Sequence, residues 1–449
     1  MLSKWTSALL LGMGFLLMLP ALAQTKTEKM ESLINPYVIN KQFMGAILVA
    51  QGDEIILNKG YGYANLEWNI SNAPATKFRL ASLTKQFTAA SIFLLEQQGK
   101  LKTTDFITKY FSDMPVAWNK ITINNLLTHS SGIPDITSLP EYEYFQLLPT
   151  TALQTIQIFR DKALNFKPGE KVSYSSSGYI ILGALIEKIS GKAYASFLQE
   201  NIFSPINMTS SGYELNSEIL EYRATGYVPG VNGFNNASFI DMSVPHAAGA
   251  IYSTTEDLLK WENALFGKKL LSAASLKKMI TPFKEDYASG LFVAKNNGHT
   301  VIRHGGDIQG FNTSLSYHPD RKITVAVLGN VNTYAVEEIA NALTAIARGE
   351  EFQAPVIRME INVPIENLKR YVGSYELSLS ANMIITLDGN HLISQVSNQK
   401  ETASLFAETD TRFFVKAFDA QLEFFENEDH EITHLTLHQF GNTKKAFRH

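Results

Sequence analysis

The stretch Ser82-Leu83-Thr84-Lys85 stands at the head of an apolar run over residues 86–95, and Gly99 follows as a helix stop signal. The run predicts a buried helix with Ser82 and Lys85 on its first turn. Residues three apart on a helix share a face, with Cβ atoms about 5–6 Å apart, so the lysine can reach the serine hydroxyl. An apolar surround and the positive end of the helix dipole both lower a lysine pKa. The stretch therefore predicts a serine nucleophile with a neutral lysine as its base.

The serine-lysine spacing is weak support on its own, because the chain repeats it at Ser275 to Lys278 and at Ser397 to Lys400. The ordinary explanation of such a pair is a serine that caps a helix and a lysine that stays in water. Ser275 precedes a polar surface pattern, and Ser397 lies in a polar turn between strand-like runs. Neither opens a buried helix, so only Ser82 has the context that a nucleophile needs.

The composition indicates a globular protein of two domains. The chain has 449 residues, of which 45% are hydrophobic and 18% charged, so it can bury large cores. A formal net charge of −4 provides no basic face, which argues against nucleic acid as a partner. The chain contains no cysteine, which excludes disulfides, thiolate chemistry and a lipid attached at a cysteine.

The N-terminus predicts a secretory signal over residues 1–23. Lys4 precedes an apolar stretch at 8–19, and Pro20 with the small-residue pattern Ala21-Leu22-Ala23 follows it. This arrangement is typical of a cleaved signal, and the stretch is too short to span a membrane. We therefore expect a periplasmic or secreted protein with no membrane anchor after cleavage.

Strand-like runs at both ends of residues 24–348 bracket a helical middle. A hairpin is predicted at 46–50 and 54–59, and strands at 301–303, 314–317 and 323–328. Helices are predicted at 28–42, 179–189 and 336–348. This order predicts an α+β fold, with one antiparallel sheet flanked by helices, an inserted helical lobe and a cleft between the two.

The character of the chain changes after residue 348. Periodicity fades over a predicted linker at 349–367, which contains Pro355 and Pro364. Short alternating runs then occupy 383–387, 391–396, 413–417, 422–425 and 432–437, with turn signals such as Asp388-Gly389-Asn390 between them. These runs predict a small all-β domain, a barrel, over residues 368–449.

The segment His430-Glu431-Ile432-Thr433-His434 matches the zinc-binding pattern H-E-x-x-H, which requires a helix. The β-branched residues and the alternation over 432–437 instead predict a strand, where residues four apart stand about 13 Å from each other. Two nitrogens at that separation cannot bind one zinc ion. We therefore predict no metal site, and nothing in the sequence implies a cofactor.

Two further clusters follow the first in chain order: Tyr174-Ser175-Ser176, and His304-Gly305-Gly306-Asp307. With Ser82 to Lys85 and the connecting segments at 126–132 and 248–254, they resemble the serine penicillin-recognising superfamily. The similar branch contains class C β-lactamases, D-alanyl-D-alanine carboxypeptidases, D-aminopeptidases and esterases. The resemblance covers residues 45–348. The region after Leu368 resembles the lipocalin-like C-terminal domain that many of these hydrolases carry.

The resemblance implies a β-lactamase/transpeptidase-like fold and a role for each matching residue. Ser82 would attack an acyl carbon, Lys85 and Tyr174 would move its proton, and the acyl-enzyme would then be hydrolysed. Tyr174 would need a depressed pKa, which a nearby Lys85 ammonium would favour. The backbone N–H groups of Ser82 and Asp307 would hold the oxyanion.

Two positions depart from the motifs of the superfamily. Ser176 stands where asparagine is usual, and it cannot offer an amide donor and acceptor to a substrate. His304 replaces the lysine of class C β-lactamases, and a mostly neutral histidine would anchor a substrate carboxylate more weakly. Gly305 and Gly306 would let their strand approach the substrate closely. Asp307 would either attract a substrate ammonium or be an ordinary turn aspartate.

The sequence therefore predicts an exported serine hydrolase. Its substrate is expected to be a small molecule or a peptide, with cell-wall-type peptides, peptidoglycan fragments and D-amino-acid peptides as the first choice. A promiscuous carboxylesterase or a weak β-lactamase is the second choice. An alternative of another class is a non-catalytic protein that binds a peptide or glycan on a hydrolase scaffold. We expect structural roles for His129 and His246, since loop histidines more often bond to the backbone.

Overall fold

The central sheet is built from two distant parts of the chain. The computed structural model describes residues 25–230, 233–296, 298–352, 358–378, 381–397, 402–416, 420–439 and 442–449. The predicted signal at 1–23 lies outside these residues. The first thirteen strands are β1 (Gly45–Gln51), β2 (Glu54–Tyr61), β3 (Tyr63–Asn65), β4 (Ile70–Ser71), β5 (Phe78–Arg79), β6 (Gly212–Tyr213), β7 (Tyr227–Gly230), β8 (Gly233–Asn236), β9 (Ile251–Ser253), β10 (Phe292–Asn296), β11 (His299–Ile308), β12 (Phe311–His318) and β13 (Ile323–Gly329).

Helices separate and flank these strands. They are α1 (Lys26–Ile39), α2 (Thr84–Gln97), α3 (Ile123–Leu127), α4 (Tyr142–Phe145), α5 (Ala152–Phe159), α6 (Ser176–Ser190), α7 (Tyr194–Leu198), α8 (His246–Gly249), α9 (Thr255–Phe266), α10 (Ala273–Met279), α11 (Ala335–Arg348) and α12 (Ile365–Tyr371). None of the helices in the described ranges is both long and apolar enough to cross a membrane.

The sheet has the order β10-β11-β12-β13-β1-β2, and every neighbouring pair is antiparallel. Successive residues of β1 point to opposite faces, so its side chains enter two different cores. Ile47 and Val49 pack with α1 and α11 on one face. Ala46 and Leu48 pack with the helical lobe, including α2 and α6, on the other. The predicted α+β architecture with an inserted helical lobe is confirmed.

The observed elements differ from the sequence-based ranges mainly at their ends. The first helix begins at Lys26, because the Thr25 hydroxyl accepts a hydrogen bond from the backbone N–H of Glu28 and the Glu28 carboxylate accepts one from that of Thr25. β11 is longer than the predicted strand at 301–303. It continues through Gly305 and Gly306, since β12 pairs with it as far as Ile308.

The C-terminal part forms a closed eight-stranded barrel, as predicted. Its strands are β14 (Gly373–Ser378), β15 (Ala381–Asp388), β16 (His391–Val396), β17 (Thr402–Ala407), β18 (Arg412–Phe414), β19 (Ala420–Glu426), β20 (Ile432–Gln439) and β21 (Asn442–Arg448). Tyr371, Phe413 and Phe424 pack ring against ring in the interior. A cavity of about 380 Å³ also lies in the barrel, lined mainly by aliphatic side chains such as Leu422 and Leu437.

The H-E-x-x-H segment does not form a helix. Its second histidine, His434, lies on strand β20, while His430 is exposed in the preceding turn. Within the described ranges, no group of three or more acidic or histidine side chains is arranged to hold a metal ion.

Candidate active site

Ser82 lies in a short 3₁₀ turn, Ala81–Leu83, that leads directly into α2. The expected first turn of the α-helix therefore begins two residues later, at Thr84. Ala81 has φ of 50°, a left-handed conformation that is unfavourable for a residue with a Cβ atom. The turn is held on both sides: the Leu80 N–H donates to the Ile251 carbonyl at 2.8 Å, and the Thr313 hydroxyl donates to the Leu80 carbonyl at 2.9 Å.

Lys85 is fully buried beside the serine. Its Nζ atom lies 3.0 Å from the Oγ atom of Ser82 and 2.9 Å from the carbonyl oxygen of Ala248. Burial lowers the pKa of Lys85 to about 7, against the opposing effect of the Asp135 carboxylate. A carbonyl oxygen only accepts, so it engages one N–H of the amine. A neutral Lys85 can therefore direct its lone pair at the Ser82 hydroxyl.

Tyr174 covers the lysine from the cleft side. Lys85 Nζ lies 4.8 Å from the centre of the Tyr174 ring, and the tyrosine is 39% exposed. Loss of hydration raises the pKa of Tyr174, and a hydrogen bond with Ser82 opposes this only in part. The expectation of a depressed tyrosine pKa was wrong, because desolvation, together with the negative charge of Asp135, outweighs the hydrogen bond with Ser82. In the resting site Tyr174 is a neutral phenol, and Lys85 is the group that titrates near pH 7.

The edge of β11 lies beside the serine turn. Pairing with β10 ends at Arg303, so residues 304–308 have strand β12 on one side and no strand of that sheet on the other. A Cβ atom on Gly306 would lie 2.2 Å from the Leu80 carbonyl oxygen, whereas one on Gly305 would be 3.4 Å from its nearest neighbour. Of the two predicted glycines, Gly306 closely approaches the residue before the serine turn, and both glycines line the cleft beside Ser82. The expected close approach of this strand to a substrate stays a prediction.

His304 lines the cleft, but both of its ring nitrogens have partners within the protein. It is 4% exposed, its Nδ1 atom lies 2.5 Å from the Gly305 carbonyl oxygen, and its Nε2 atom lies 3.3 Å from the Tyr287 hydroxyl. Burial, followed by the charge of Lys85, lowers the pKa of His304 to about 3. The expected role as a weak anchor is therefore not supported, since both ring nitrogens are engaged inside the protein. The neighbouring Arg303 is exposed and forms an ion pair with Glu337.

Ser176 opens helix α6, and its N–H donates to Asp135 Oδ1 at 2.9 Å. The other Asp135 oxygen accepts from the Thr137 hydroxyl at 2.6 Å. Asp135 thus caps α6 and places a carboxylate at the wall of the cleft. The sequence analysis missed this residue, although Pro134-Asp135 directly after the turn at Gly132 is a turn signal that marks such a position.

His129 lies behind Tyr174, with ring centres 4.2 Å apart. Its Nδ1 atom accepts the backbone N–H of Ser175 at 3.1 Å, the backbone contact that a structural role predicts. Its Nε2 atom lies 2.9 Å from the hydroxyl of Tyr287, a residue that the sequence gave no reason to select. His246 packs against Tyr194 and Tyr213 instead, 3.6 Å from Glu187.

Ser82 stands where two branches of a cleft meet. One branch, of about 460 Å³, is lined by small and aliphatic side chains that include Ile136, Ile180 and Val244. The other, of about 570 Å³, contains Tyr174, His304 and three acidic residues, Asp135, Asp307 and Glu337. Neither lining contains a lysine or an arginine. The site thus joins a nucleophile and its base to an apolar branch and an acidic branch.

Models of known protein families match both parts of the chain. A family model described as Beta-lactamase matches residues 30–348, and one described as a domain of unknown function (DUF3471) matches residues 358–448. Penicillin-binding protein 4* of Bacillus subtilis (strain 168) is 28% identical over 95% of this chain and 99% of its own length.

Two solved structures are similar in three dimensions. The octameric penicillin-binding protein homologue from Pyrococcus abyssi has a TM-score of 0.65 and 25% identity, over 93% of this chain and 99% of its own. The D-amino acid amidase from Ochrobactrum anthropi SV3 has a TM-score of 0.65 and 22% identity, over 72% of this chain and 99% of its own, a likeness of fold.

Proposed function

The chain belongs to the beta-lactamase family and is a serine hydrolase, and from this premise we propose that it cleaves amide bonds in D-amino-acid or cell-wall-type peptides through an acyl-enzyme at Ser82. The observation that carries the proposal is the contact of Lys85 with both Ser82 and the Ala248 carbonyl. This contact supplies an oriented amine with a pKa of about 7, which is close to the ideal for a general base at neutral pH.

The proposed reaction uses the groups that line the junction of the two branches. Lys85 takes the proton of Ser82 as its Oγ atom attacks the carbonyl carbon. The backbone N–H groups of Ser82 and Asp307 hold the oxygen of the tetrahedral intermediate. The neutral Tyr174 hydroxyl donates a proton to the leaving nitrogen and is reprotonated from Lys85. Water then hydrolyses the ester by the reverse sequence, which restores the serine.

The charges along the acidic branch favour a substrate with a free amino group. Among the residues that the structure describes, no lysine or arginine lines either branch, Lys85 is buried behind Ser82, and His304 is neutral, so the branches offer a substrate carboxylate no exposed cation. The carboxyl groups of Asp135 and Asp307 line the same branch, and loss of hydration raises the pKa of Asp307 above its usual value. Opposite charges attract most where hydration is reduced. This pattern favours an aminopeptidase or amidase over a carboxypeptidase or a β-lactamase, whose substrates carry a carboxylate.

The site of action is part of the proposal. The sequence at 1–23 has the form of a secretory signal, and peptides with D-amino acids occur in the cell wall outside the cytoplasmic membrane. We therefore place the enzyme in the periplasm or the medium, with peptidoglycan fragments as candidate substrates. The test is fractionation of cells that express the full chain, with mass determination of the mature protein. A product that starts at Gln24 is expected, and an uncleaved cytoplasmic protein would contradict this part.

A carboxylesterase is the second candidate, and Ser176 is the observation that favours it. Its side chain replaces an amide that would bind the amide of a peptide substrate, and an ester needs no such partner. An ester also has a better leaving group, so it depends less on proton donation from Tyr174. The alternative of a non-catalytic binder is not supported, because the chain belongs to a family of serine hydrolases.

The deciding experiment compares four substrates on wild type and Ser82→Ala. They are D-phenylalanine p-nitroanilide, its N-acetyl form, an N-acyl-D-alanyl-D-alanine peptide and p-nitrophenyl acetate. We expect the free-amine anilide to have the highest kcat/KM, with all turnover lost in Ser82→Ala. An esterase would hydrolyse only p-nitrophenyl acetate quickly. Asp307→Asn is expected to reduce the preference for the free amine over the N-acetyl form, and an unchanged preference would remove Asp307 from that role.

A further inference from the structure

Four hydrogen bonds run in one line behind Tyr174. The Ser175 N–H lies 3.1 Å from His129 Nδ1, and His129 Nε2 lies 2.9 Å from the Tyr287 hydroxyl. The same hydroxyl lies 3.3 Å from His304 Nε2, and His304 Nδ1 lies 2.5 Å from the Gly305 carbonyl oxygen. All three side chains are buried. The line therefore begins at a backbone donor and ends at a backbone acceptor.

The two ends of this line determine every proton within it. The Ser175 N–H can only donate, so His129 Nδ1 is bare and, in the neutral ring, Nε2 carries the hydrogen. The Gly305 carbonyl can only accept, so His304 Nδ1 carries the hydrogen and its Nε2 is bare. Tyr287 must then accept from His129 and donate to His304. A tyrosine hydroxyl does both at once, whereas phenylalanine does neither.

Both ends of the line touch parts of the reaction centre. The His129 ring packs against the Tyr174 ring with centres 4.2 Å apart, and His129 also accepts the N–H of Ser175, the residue after Tyr174. At the other end, His304 holds the carbonyl of Gly305, two residues before the oxyanion donor Asp307. One hydroxyl thus connects the proton carrier to the strand that would bind the oxyanion.

We propose that Tyr287 is a positioning residue that locks His129 and His304 in opposite neutral tautomers, and through them fixes Tyr174 and the oxyanion edge of β11. This inference rests on the proposed roles of Tyr174 and Asp307. Tyr287 itself touches no reacting atom: its hydroxyl faces the two histidines and Tyr179, whose own hydroxyl donates to the Leu127 carbonyl. The residue lies on the loop before β10, outside the three motifs and 17 residues before His304.

The neutrality of both histidines matters for the base. Burial holds the pKa of His129 well below its usual value, and the Lys85 charge acts in the same direction on both rings. The titratable or charged groups that face this pair from the surrounding elements are Lys85, Tyr174, Tyr179, Tyr287 and Arg303. A cationic histidine here would disfavour the protonated form of Lys85 and so weaken the lysine as the base that takes the Ser82 proton. Both bare nitrogens, His129 Nδ1 and His304 Nε2, already accept a hydrogen bond, so neither is free to bind an extra proton.

The kinetic test uses Tyr287→Phe, with Tyr194→Phe as the matched control. Tyr194 is equally buried, and its hydroxyl bonds only the Thr88 hydroxyl among the contacts identified in the described residues. Labelling of Ser82 by a fluorophosphonate probe gives both the rate constant and the fraction of sites that react. For Tyr287→Phe we expect full labelling with a rate about 100-fold lower, since misplaced catalytic groups cost about this much. For Tyr194→Phe the rate stays at the wild-type value.

A second pair of variants separates hydrogen bonding from packing. His129→Gln keeps an acceptor for Ser175 and a donor towards Tyr287, whereas His129→Leu fills similar space with neither. Gln at this position is expected to retain at least ten times the labelling rate of Leu. Equal labelling rates for the two His129 variants would contradict the proposal. A Tyr287→Phe enzyme that labels at the wild-type rate but with a smaller reactive fraction would also contradict it, because a smaller fraction indicates lost folding.

The protons can also be observed without any reaction. In ¹⁵N-histidine-labelled Ser82→Ala protein, the assigned ring signals should show His129 protonated only at Nε2 and His304 protonated only at Nδ1. Both tautomers should stay unchanged from pH 5 to 8. Tyr287→Phe should release both rings to mixed tautomers. Any other tautomer pair in the Ser82→Ala protein would overturn the assignment. Since neither readout uses a natural substrate, a wrong substrate class would leave this test intact.

Discussion

Lys85 and Ala248 are joined by a hydrogen bond of 2.9 Å between the buried Nζ atom and the backbone carbonyl, although 163 residues separate them in the chain. The carbonyl comes from α8, whose first residue, His246, has a left-handed conformation with φ of 41°. Since that carbonyl takes one amine hydrogen, the lone pair of a neutral Lys85 faces Ser82 at 3.0 Å. The geometry of the base therefore depends on both the lysine and a distant loop.

The activity should rise with pH through the titration of this lysine. Burial lowers the pKa of Lys85 to about 7, and only the neutral amine can accept the Ser82 proton. The rate of acylation by p-nitrophenyl acetate should therefore increase between pH 6 and 8, with a midpoint near the lysine pKa. Lys85→Arg keeps a permanent charge and should lose about 100- to 10,000-fold in rate. A flat profile over this range in the wild type would exclude Lys85 as the base.

Lys85 should also lower the free energy of unfolding at pH values where its amine is charged. Its pKa is about 7 in the folded protein against 10.5 as the reference, so the unfolded chain binds more protons between these values. The free energy of unfolding therefore rises with pH from about 7 to 10.5, and the full penalty of burying the charge applies below 7. Lys85→Met should be more stable than wild type in urea unfolding at pH 6, with a smaller difference at pH 9.

The control for this comparison is Lys100→Met, because Lys100 is exposed beyond the end of α2. It should unfold at the wild-type urea concentration at both pH values. A Lys85→Met protein that is less stable than wild type at pH 6 would show that lost contacts, rather than the buried charge, dominate at this position.

The two glycines of β11 should respond differently to the same substitution. Gly306→Ala would place a Cβ atom 2.2 Å from the Leu80 carbonyl, so the strand or the serine turn must move. We expect a loss of about 1–3 kcal/mol in unfolding free energy and at least tenfold slower labelling of Ser82. Gly305→Ala has its nearest neighbour at 3.4 Å and should change both measurements little. Similar effects at both positions would rule out the contact with Leu80 as the reason for glycine.

Much of this fold could be predicted from the sequence, because the apolar periods are strong. The continuous apolar run of β1 and the long apolar helix α6 identify elements of the sheet and of the lobe from the sequence alone. The order of the three motifs was enough to identify the family. The ends of elements were predicted less well. Strand β11 extends beyond its predicted range at 301–303, because its pairing with β12, rather than the glycine pair, decides where it ends.

The environment of the site could not be predicted in the same way. The partner of the His304 Nε2 atom is Tyr287, which the fold brings to it from a loop 17 residues away. Likewise, the shift in the Tyr174 pKa reflects the balance between burial and charge, and no single motif shows how well a side chain is hydrated. Residue types can be identified from the sequence, but their protonation states follow from the packing.

Glu262 provides a test of that principle away from the active site. It lies on α9, is 3% exposed, and its Oε2 atom has no hydrogen-bond partner within the described residues. Burial raises the pKa of Glu262 from 4.5 to about 8, so the folded protein binds more protons than the unfolded chain between these values. The contribution of the protonated Glu262 to the free energy of unfolding is therefore complete below about pH 4.5 and is lost as the pH rises to 8.

Glu262→Gln should remove this dependence and become more stable than wild type at pH 8, by an amount on the order of a few kcal/mol. Glu256→Gln, an exposed position on the same helix, should follow the wild-type urea midpoint at every pH. If Glu262→Gln and wild type instead changed in parallel from pH 5 to 8, the buried carboxyl would have to be ionised throughout.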